Sequence, residues 1–123
     1  MADNALTRVE ILMQQNRYPE AEQVLRNLLT TDTNNITYLL LLGETNYQQD
    51  KFDEARSIAF HLTSLAPDEP EVFFLKSRIA AEEKLYDEAE KNIEQAISLN
   101  PNDADYFAFF AQIKLIRKNI LWR

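Results

Sequence analysis

One period of 34 residues runs through this chain and limits its fold more than any other feature. Tyr18-Pro19-Glu20-Ala21, Phe52-Asp53-Glu54-Ala55 and Tyr86-Asp87-Glu88-Ala89 align at that step. So do Thr33, Pro67 and Pro101, each followed by a polar pair: Asn34-Asn35, Asp68-Glu69 and Asn102-Asp103. Independent columns sharing one period mark a repeat architecture, in which each unit buries its apolar face only against its neighbours.

Each period reads as two helices. From Ile36 to Gln49 the apolar Leu39, Leu40, Leu42 and Tyr47 sit at helical spacing. The stretch Phe52 to Leu65 repeats this with Phe52, Ala55, Ile58, Ala59, Leu62 and Leu65. The next period gives Val72, Phe73, Ile79 and Ala80, then Tyr86, Ala89, Ile93, Ala96 and Ile97. Pro67, Pro70 and Pro101 fall at helix ends or in a first turn, where a missing N–H costs nothing. Asp68 and Asp103 are the expected N-caps. Gln49-Asp50-Lys51 and Lys84-Leu85 are tight helix–helix connections. Small residues recur where helices must approach closely: Gly43 and Ser77 in the first helix of a unit, Ala55 and Ala89 in the second. No run alternates with period two for long enough to make a strand.

Composition closes off most chemistry. The 123 residues are one domain's worth of chain, with no Cys, one His and one Gly. A disulfide framework, a thiolate nucleophile, a Cys-based zinc site, a two-His metal motif and a Gly-rich phosphate loop are therefore excluded. Thirteen basic against twenty acidic residues give a net charge of −7, which disfavours duplex nucleic acid. No 18-residue apolar run exists to span a membrane, and residues 1–15 carry no basic-then-apolar signal, so a cytoplasmic protein is expected. His61 has no nucleophile–acid set around it. Adjacent acids such as Asp53-Glu54, Glu82-Glu83 and Asp87-Glu88 point about 100° apart on a helix and do not converge on one atom. Neither catalysis nor a bound metal or cofactor is expected.

The helix–turn–helix unit, with its aromatic-x-x-Ala string and closing Pro, resembles the tetratricopeptide repeat (TPR). Residues 36–69 match the family pattern at Leu39, Leu42, Gly43, Phe52, Ala55, Ala59, Leu62 and Pro67. Residues 70–103 match at Phe73, Ser77, Tyr86, Ala89, Ile93, Ala96 and Pro101. The first unit, residues 2–35, keeps Tyr18, Ala21, Leu25 and Leu28 but has Thr33 for Pro and Arg8-Val9 for Leu-Gly. A partial fourth unit, residues 104–123, opens with Phe107, Phe110 and Ala111. The resemblance implies an all-α fold: a single domain over 1–123, wound as a right-handed α-α superhelix of three repeats plus a partial fourth.

It also implies a function. In this family the first helix of each unit lines a concave groove that holds a peptide. Carried onto this chain, the groove residues are Leu6, Glu10, Met13 and Gln14, then Thr37, Leu40, Glu44, Tyr47 and Gln48, then Glu71, Phe74, Arg78, Ala81 and Glu82. The expected role is a protein–protein interaction module, either the N-terminal part of a larger protein or an assembly scaffold. Family members that grip a chaperone's C-terminal carboxylate do so with Lys, Asn and Arg. The matching positions here are Leu6, Glu10, Leu41, Glu71 and Leu75, so a carboxylate would meet Glu10 and Glu71 without counter-charge. A basic or largely apolar ligand suits the groove better.

Charge is uneven along the chain. All twenty acids lie before residue 106, and Lys114, Arg117, Lys118 and Arg123 lie after it. That tail is rich in apolar residues, including Phe107, Phe109, Phe110, Ile113, Leu115, Ile116 and Trp122. One reading is a basic amphipathic helix of a membrane-peripheral assembly subunit. The other is the first helix of a fourth unit, with Phe107, Phe110 and Ala111 meeting the third. Its outer side would then need cover, from a following helix or from a second copy of the chain. Homodimerisation is expected through Phe109, Ile113 and Ile116, with Trp122 at the rim.

Overall fold

The computed structural model describes residues 2–121, with the side chains of 4–120. Seven helices account for these residues, and no strand occurs among them: α1 (Ala2–Gln14), α2 (Tyr18–Thr31), α3 (Ile36–Gln48), α4 (Phe52–Leu65), α5 (Pro70–Glu82), α6 (Tyr86–Leu99) and α7 (Ala104–Leu121). The helices α1, α3, α5 and α7 begin 34 residues apart, and so do α2, α4 and α6.

The turn inside each pair repeats as well. Asn16, Asp50 and Lys84 take φ of 60°, 60° and 62°, the left-handed conformation that ends a helix. In the first turn, the Arg17 N–H reaches Leu12 O at 2.8 Å and the Asn16 N–H reaches Met13 O at 3.0 Å; Lys51 to Asn46 and Leu85 to Ala80, both at 2.9 Å, repeat the bond from Arg17 to Leu12. These bonds satisfy carbonyls that a helix end leaves open. Asn and Asp tolerate this conformation through their short polar side chains, so the turns form without Gly. Between pairs, side chains cap the next helix. Asn35 accepts from the Tyr38 N–H at 3.0 Å and Asp103 from the Asp105 N–H at 2.9 Å. The cap of α5 is Glu69 rather than Asp68, because α5 starts at Pro70 and only Glu69 is adjacent to it.

The helices group into two compact units, Met1–Ala66 and Pro67–Arg123. In the first, Val9, Leu12, Ala21, Leu25, Tyr38 and Leu42 form one buried cluster joining α1, α2 and α3. The half-buried Glu22 on α2 accepts from Arg26 at 2.8 Å, from Gln49 at 2.8 Å and from Lys51 at 3.0 Å. It thereby ties α2 to the turn between α3 and α4. In the second unit, Ile93 and Ala96 pack with Tyr106, and Ala80 and Ala89 with Ile113. Ser77 and Ala89 are both fully buried, and the Ser77 hydroxyl donates to Ala89 O at 2.6 Å. A larger side chain at either position would push α5 and α6 apart.

The rotation of α7 differs from the expected one. Tyr106 and Ile113 are buried, and Phe109 and Phe110 are half-buried against α5 and α6. Phe107 and Ala111 face solvent. Ile113 therefore does not belong to an outer self-association edge, and Phe109 belongs to it only in part. Ile116 remains 38% exposed, and Trp122 lies outside the described residues. The cause is the repeat register. Tyr106 and Ile113 stand 68 residues after Tyr38 and Thr45, both buried in α3. Tyr38 packs in the cluster of the preceding helix, α2. Phe107 and Ala111 stand 34 after Phe73 and Ser77, on the side of α5 turned to its own second helix, α6.

Candidate functional site

The expected groove residues fall on matching positions of successive first helices: Leu6 with Leu40 and Phe74, Glu10 with Glu44 and Arg78, Met13 with Tyr47, Gln14 with Gln48 and Glu82. Helical spacing puts each set on one side of its helix.

In the first unit, Leu6 and Met13 are half-buried and pack against the cluster that also holds Leu41 of α3. Glu10 and Gln14 are exposed. On α3, Leu40, Glu44 and Tyr47 are half-buried, and Thr37 and Gln48 are exposed. The Gln48 amide donates to Glu44 at 3.0 Å, and the Tyr47 ring meets the edge of Phe52 with centroids 5.7 Å apart. Tyr47 thereby packs against the first residue of α4. The face offers apolar area from Leu6, Met13, Leu40 and Tyr47 beside the carboxylates of Glu10 and Glu44.

In the second unit the structure draws Glu71, Phe74 and Arg78 together around two residues of α7. The Phe74 ring lies 4.9 Å from Tyr106 and 5.8 Å, edge-on, from Phe109. The Arg78 guanidinium covers Phe74 at 4.4 Å, close enough for a cation–π contact. The Tyr106 hydroxyl donates to Glu71 at 2.8 Å. Burial, then this bond to a carboxylate, pushes the Tyr106 hydroxyl above its ordinary pKa, so it stays a donor. Glu82 is exposed and Ala81 half-buried. Phe74 is thus half-buried and spends much of its ring on packing, while the Tyr106 hydroxyl orients the Glu71 carboxylate.

Tyr106 was not foreseen as part of this surface. Its signal was present in the register, since Tyr38, Val72 and Tyr106 form one column of buried residues 34 apart. The positively charged end of α7 is also less available than its sequence suggested. Lys114 pairs with Glu90 at 3.2 Å, and Arg117 pairs with Asp87 at 2.6 Å and with Glu90. No cluster of three or more acidic or His side chains placed to hold a metal occurs among the described residues.

Comparison with known proteins agrees with the repeat. Models of the tetratricopeptide repeat match residues 12–79 and 70–103. The first TPR domain of human RPAP3 superimposes with a TM-score of 0.87 at 18% identity, covering 97% of this chain and 94% of that one. The Yersinia enterocolitica type III secretion chaperone SycD, solved with a peptide of the translocator YopD, gives 0.80 at 17% identity, covering 98% and 92%. The first TPR of Spaghetti (RPAP3), solved with the HSP90 peptide SRMEEVD, gives 0.82 at 17% identity, covering 96% of each chain. A search of the curated proteins finds no match.

Proposed function

Since the chain belongs to the tetratricopeptide-repeat family, we propose that it is a non-catalytic interaction module that binds a peptide or partner protein on its first-helix faces. Its place is in a larger protein or assembly scaffold. Two structural neighbours, SycD and the Spaghetti RPAP3 domain, were solved with peptides bound. The observation that carries the reading is chemical. In the first unit Glu10 and Glu44 share these faces with Leu6, Met13, Leu40 and Tyr47; in the second, Glu71 and Glu82 share theirs with Phe74 and the basic Arg78. Such a surface favours a ligand that is basic and partly apolar. The peptide SRMEEVD is acidic, and the positions that would hold a terminal carboxylate are Leu6, Glu10, Leu41, Glu71 and Leu75 here. A chaperone tail is therefore not the proposed partner.

A lipid-docking role for α7 has less to stand on. Its Lys114 and Arg117 are engaged by Glu90 and Asp87, and Tyr106 and Ile113 are buried within their own unit. No helix among the described residues is long and apolar enough to cross a membrane.

Fluorescence anisotropy with peptides of equal length, stepped from basic to acidic, tests the proposal. Basic peptides should bind more tightly, and the preference should shrink as salt rises, because exposed charges are screened over about 8–10 Å near physiological ionic strength. Glu10→Lys, on an exposed side chain, should weaken binding of the basic peptides without altering the fold. Tighter binding of acidic peptides would overturn the reading.

A further inference from the structure

The seam between α5 and α7 lies on the first-helix face of the second unit, and its two ends differ. Phe74 meets Tyr106 and Phe109 near the start of both helices, and Ala80 shares a buried cluster with Ile113 further along both. The two helices therefore run in the same direction. Ala81 stands seven residues after Phe74, and Ile116 seven after Phe109. Seven residues make two turns, about 10 Å of rise, so Ala81 and Ile116 share one level two turns beyond the aromatic pair.

This level is built differently from its counterpart in the first unit. Where α1 has Met13 and α3 has Gln48, α5 has Ala81 and α7 has Ile116. A long side chain has become a methyl group, and a polar one has become aliphatic. Ala81 and Phe109 are half-buried against the cluster that holds Ile113, which gives the seam an apolar floor. Ile116 is 38% exposed. This exposure is a property of the position: Gln14, Gln48 and Glu82 stand there on α1, α3 and α5 and are exposed as well, each with later helices in place. Ile116 is the apolar member of that column.

Charge marks the same place. Glu82 is exposed and is the last residue of α5. Its carboxylate and the negative end of the helix dipole both favour a cation there. Gln112, one turn before Ile116, is exposed and uncharged.

We propose that Ala81, Gln112 and Ile116, with Glu82, form a subsite for a bulky aliphatic side chain of a peptide ligand, Leu, Ile or Met, standing next to a Lys or Arg. The aliphatic group sits on Ala81 and against Ile116, and takes both out of water. The cation lies at the end of α5 beside Glu82, and the Gln112 amide faces the peptide backbone. A Ser in the aliphatic place forfeits the apolar burial, and a Glu in the basic place meets the like charge of Glu82. The subsite rests on the reading of the first-helix faces as peptide-binding, and it names what the second unit recognises. It makes α7 a binding helix as well as a packing one.

Nuclear magnetic resonance of the isotope-labelled full chain tests this with two Ser-based nonapeptides, one with Leu-Lys at its centre and one with Ser-Lys. The Leu-Lys peptide should shift the amide signals of Ala81, Glu82, Gln112 and Ile116. It should bind about tenfold more tightly than the Ser-Lys peptide, the effect of burying one aliphatic side chain in part. Ile116→Ser should abolish that preference with unchanged helical circular dichroism, since the parent side chain is partly in solvent. Glu82→Gln should weaken both peptides alike. Equal binding of the two peptides by the parent would overturn the proposal. So would a Leu preference that survives Ile116→Ser, or shifts confined to residues outside the α5–α7 seam. If Glu10→Lys still weakens binding of basic peptides under those results, the subsite alone falls; if no basic peptide binds the parent, the interaction reading falls with it.

Discussion

Glu22 should act as an electrostatic latch in the first unit, and replacing it by Gln measures how much the latch is worth. Its side chain is 12% exposed and takes bonds from Gln49, Arg26 and Lys51. Burial alone would raise the pKa of its carboxyl, but the three donors outweigh burial and hold it at about 2 instead of 4.5. A difference of that size corresponds to about 3 kcal/mol of folding free energy, at 1.36 kcal/mol per unit. Gln keeps one carbonyl acceptor, so the expected loss for Glu22→Gln at neutral pH is about 2 kcal/mol.

The sign of the pH dependence follows from the direction of the shift. A carboxyl whose folded pKa lies below its unfolded value stabilises the fold above the unfolded pKa. That contribution fades as pH falls through the interval down to about 2. Urea titrations of parent and Glu22→Gln, followed by circular dichroism, should show a constant gap above about pH 5 that narrows toward pH 2. A gap below about 0.5 kcal/mol at pH 7 would refute the latch, being no more than an exposed ion pair contributes. So would a gap of the same size at pH 2.5 as at pH 7.

Two further substitutions probe positions that break the local rule. Asn46 is fully buried, and neither its amide nitrogen nor its oxygen meets a hydrogen-bond partner among the described residues. The equivalent residues are the buried Leu12 and Ala80. Asn46→Ala should therefore raise stability by about 1 kcal/mol, part of the cost of an unpaired buried amide, and a melting temperature lowered by the change would count against this. Lys84 holds a left-handed φ of 62° without the short side chain that Asn16 and Asp50 bring to it. Lys84→Gly should stabilise by about 0.5–1 kcal/mol, the left-handed cost less the extra chain entropy of Gly, and thermal unfolding would expose an error as a drop.

The helices were legible because their signals are periodic and local. Proline, the aromatic-x-x-Ala string and the small residues each recur at 34, and each marks a place where the backbone or a close helix contact leaves little choice. The rotation of α7 was not legible from its own sequence. That helix is apolar on most sides, so its pattern has no direction. Only the columns inherited from earlier repeats orient it, through Tyr38 to Tyr106 and Thr45 to Ile113. The Glu22 latch escaped for another reason, since a carboxylate on a helix reads as solvated unless its partners are known. Its trace is a step of 68: Glu22 with Gln49 recurs as Glu90 with Arg117, which also pair across a helix contact.

For the same reason the fold is easier to read than the ligand. The column of second helices that meets another helix is held to one size: Ala21, Ala55 and Ala89 are identical and fully buried. Packing tolerates little else there, because inserted methylenes force neighbours off their rotamers. Columns on the proposed binding faces meet no such limit. They run Leu6, Leu40, Phe74 and Glu10, Glu44, Arg78, changing size in one and sign of charge in the other. Leu6 and Phe74 also pack within their own units, but the sign of charge at Glu10, Glu44 and Arg78 is not set by that packing, so the period that makes the architecture plain averages it away. Ligand preference is written in those departures from the repeat, and that is why the proposal turns on the sign of Glu10, Glu44 and Arg78 rather than on the helices that carry them.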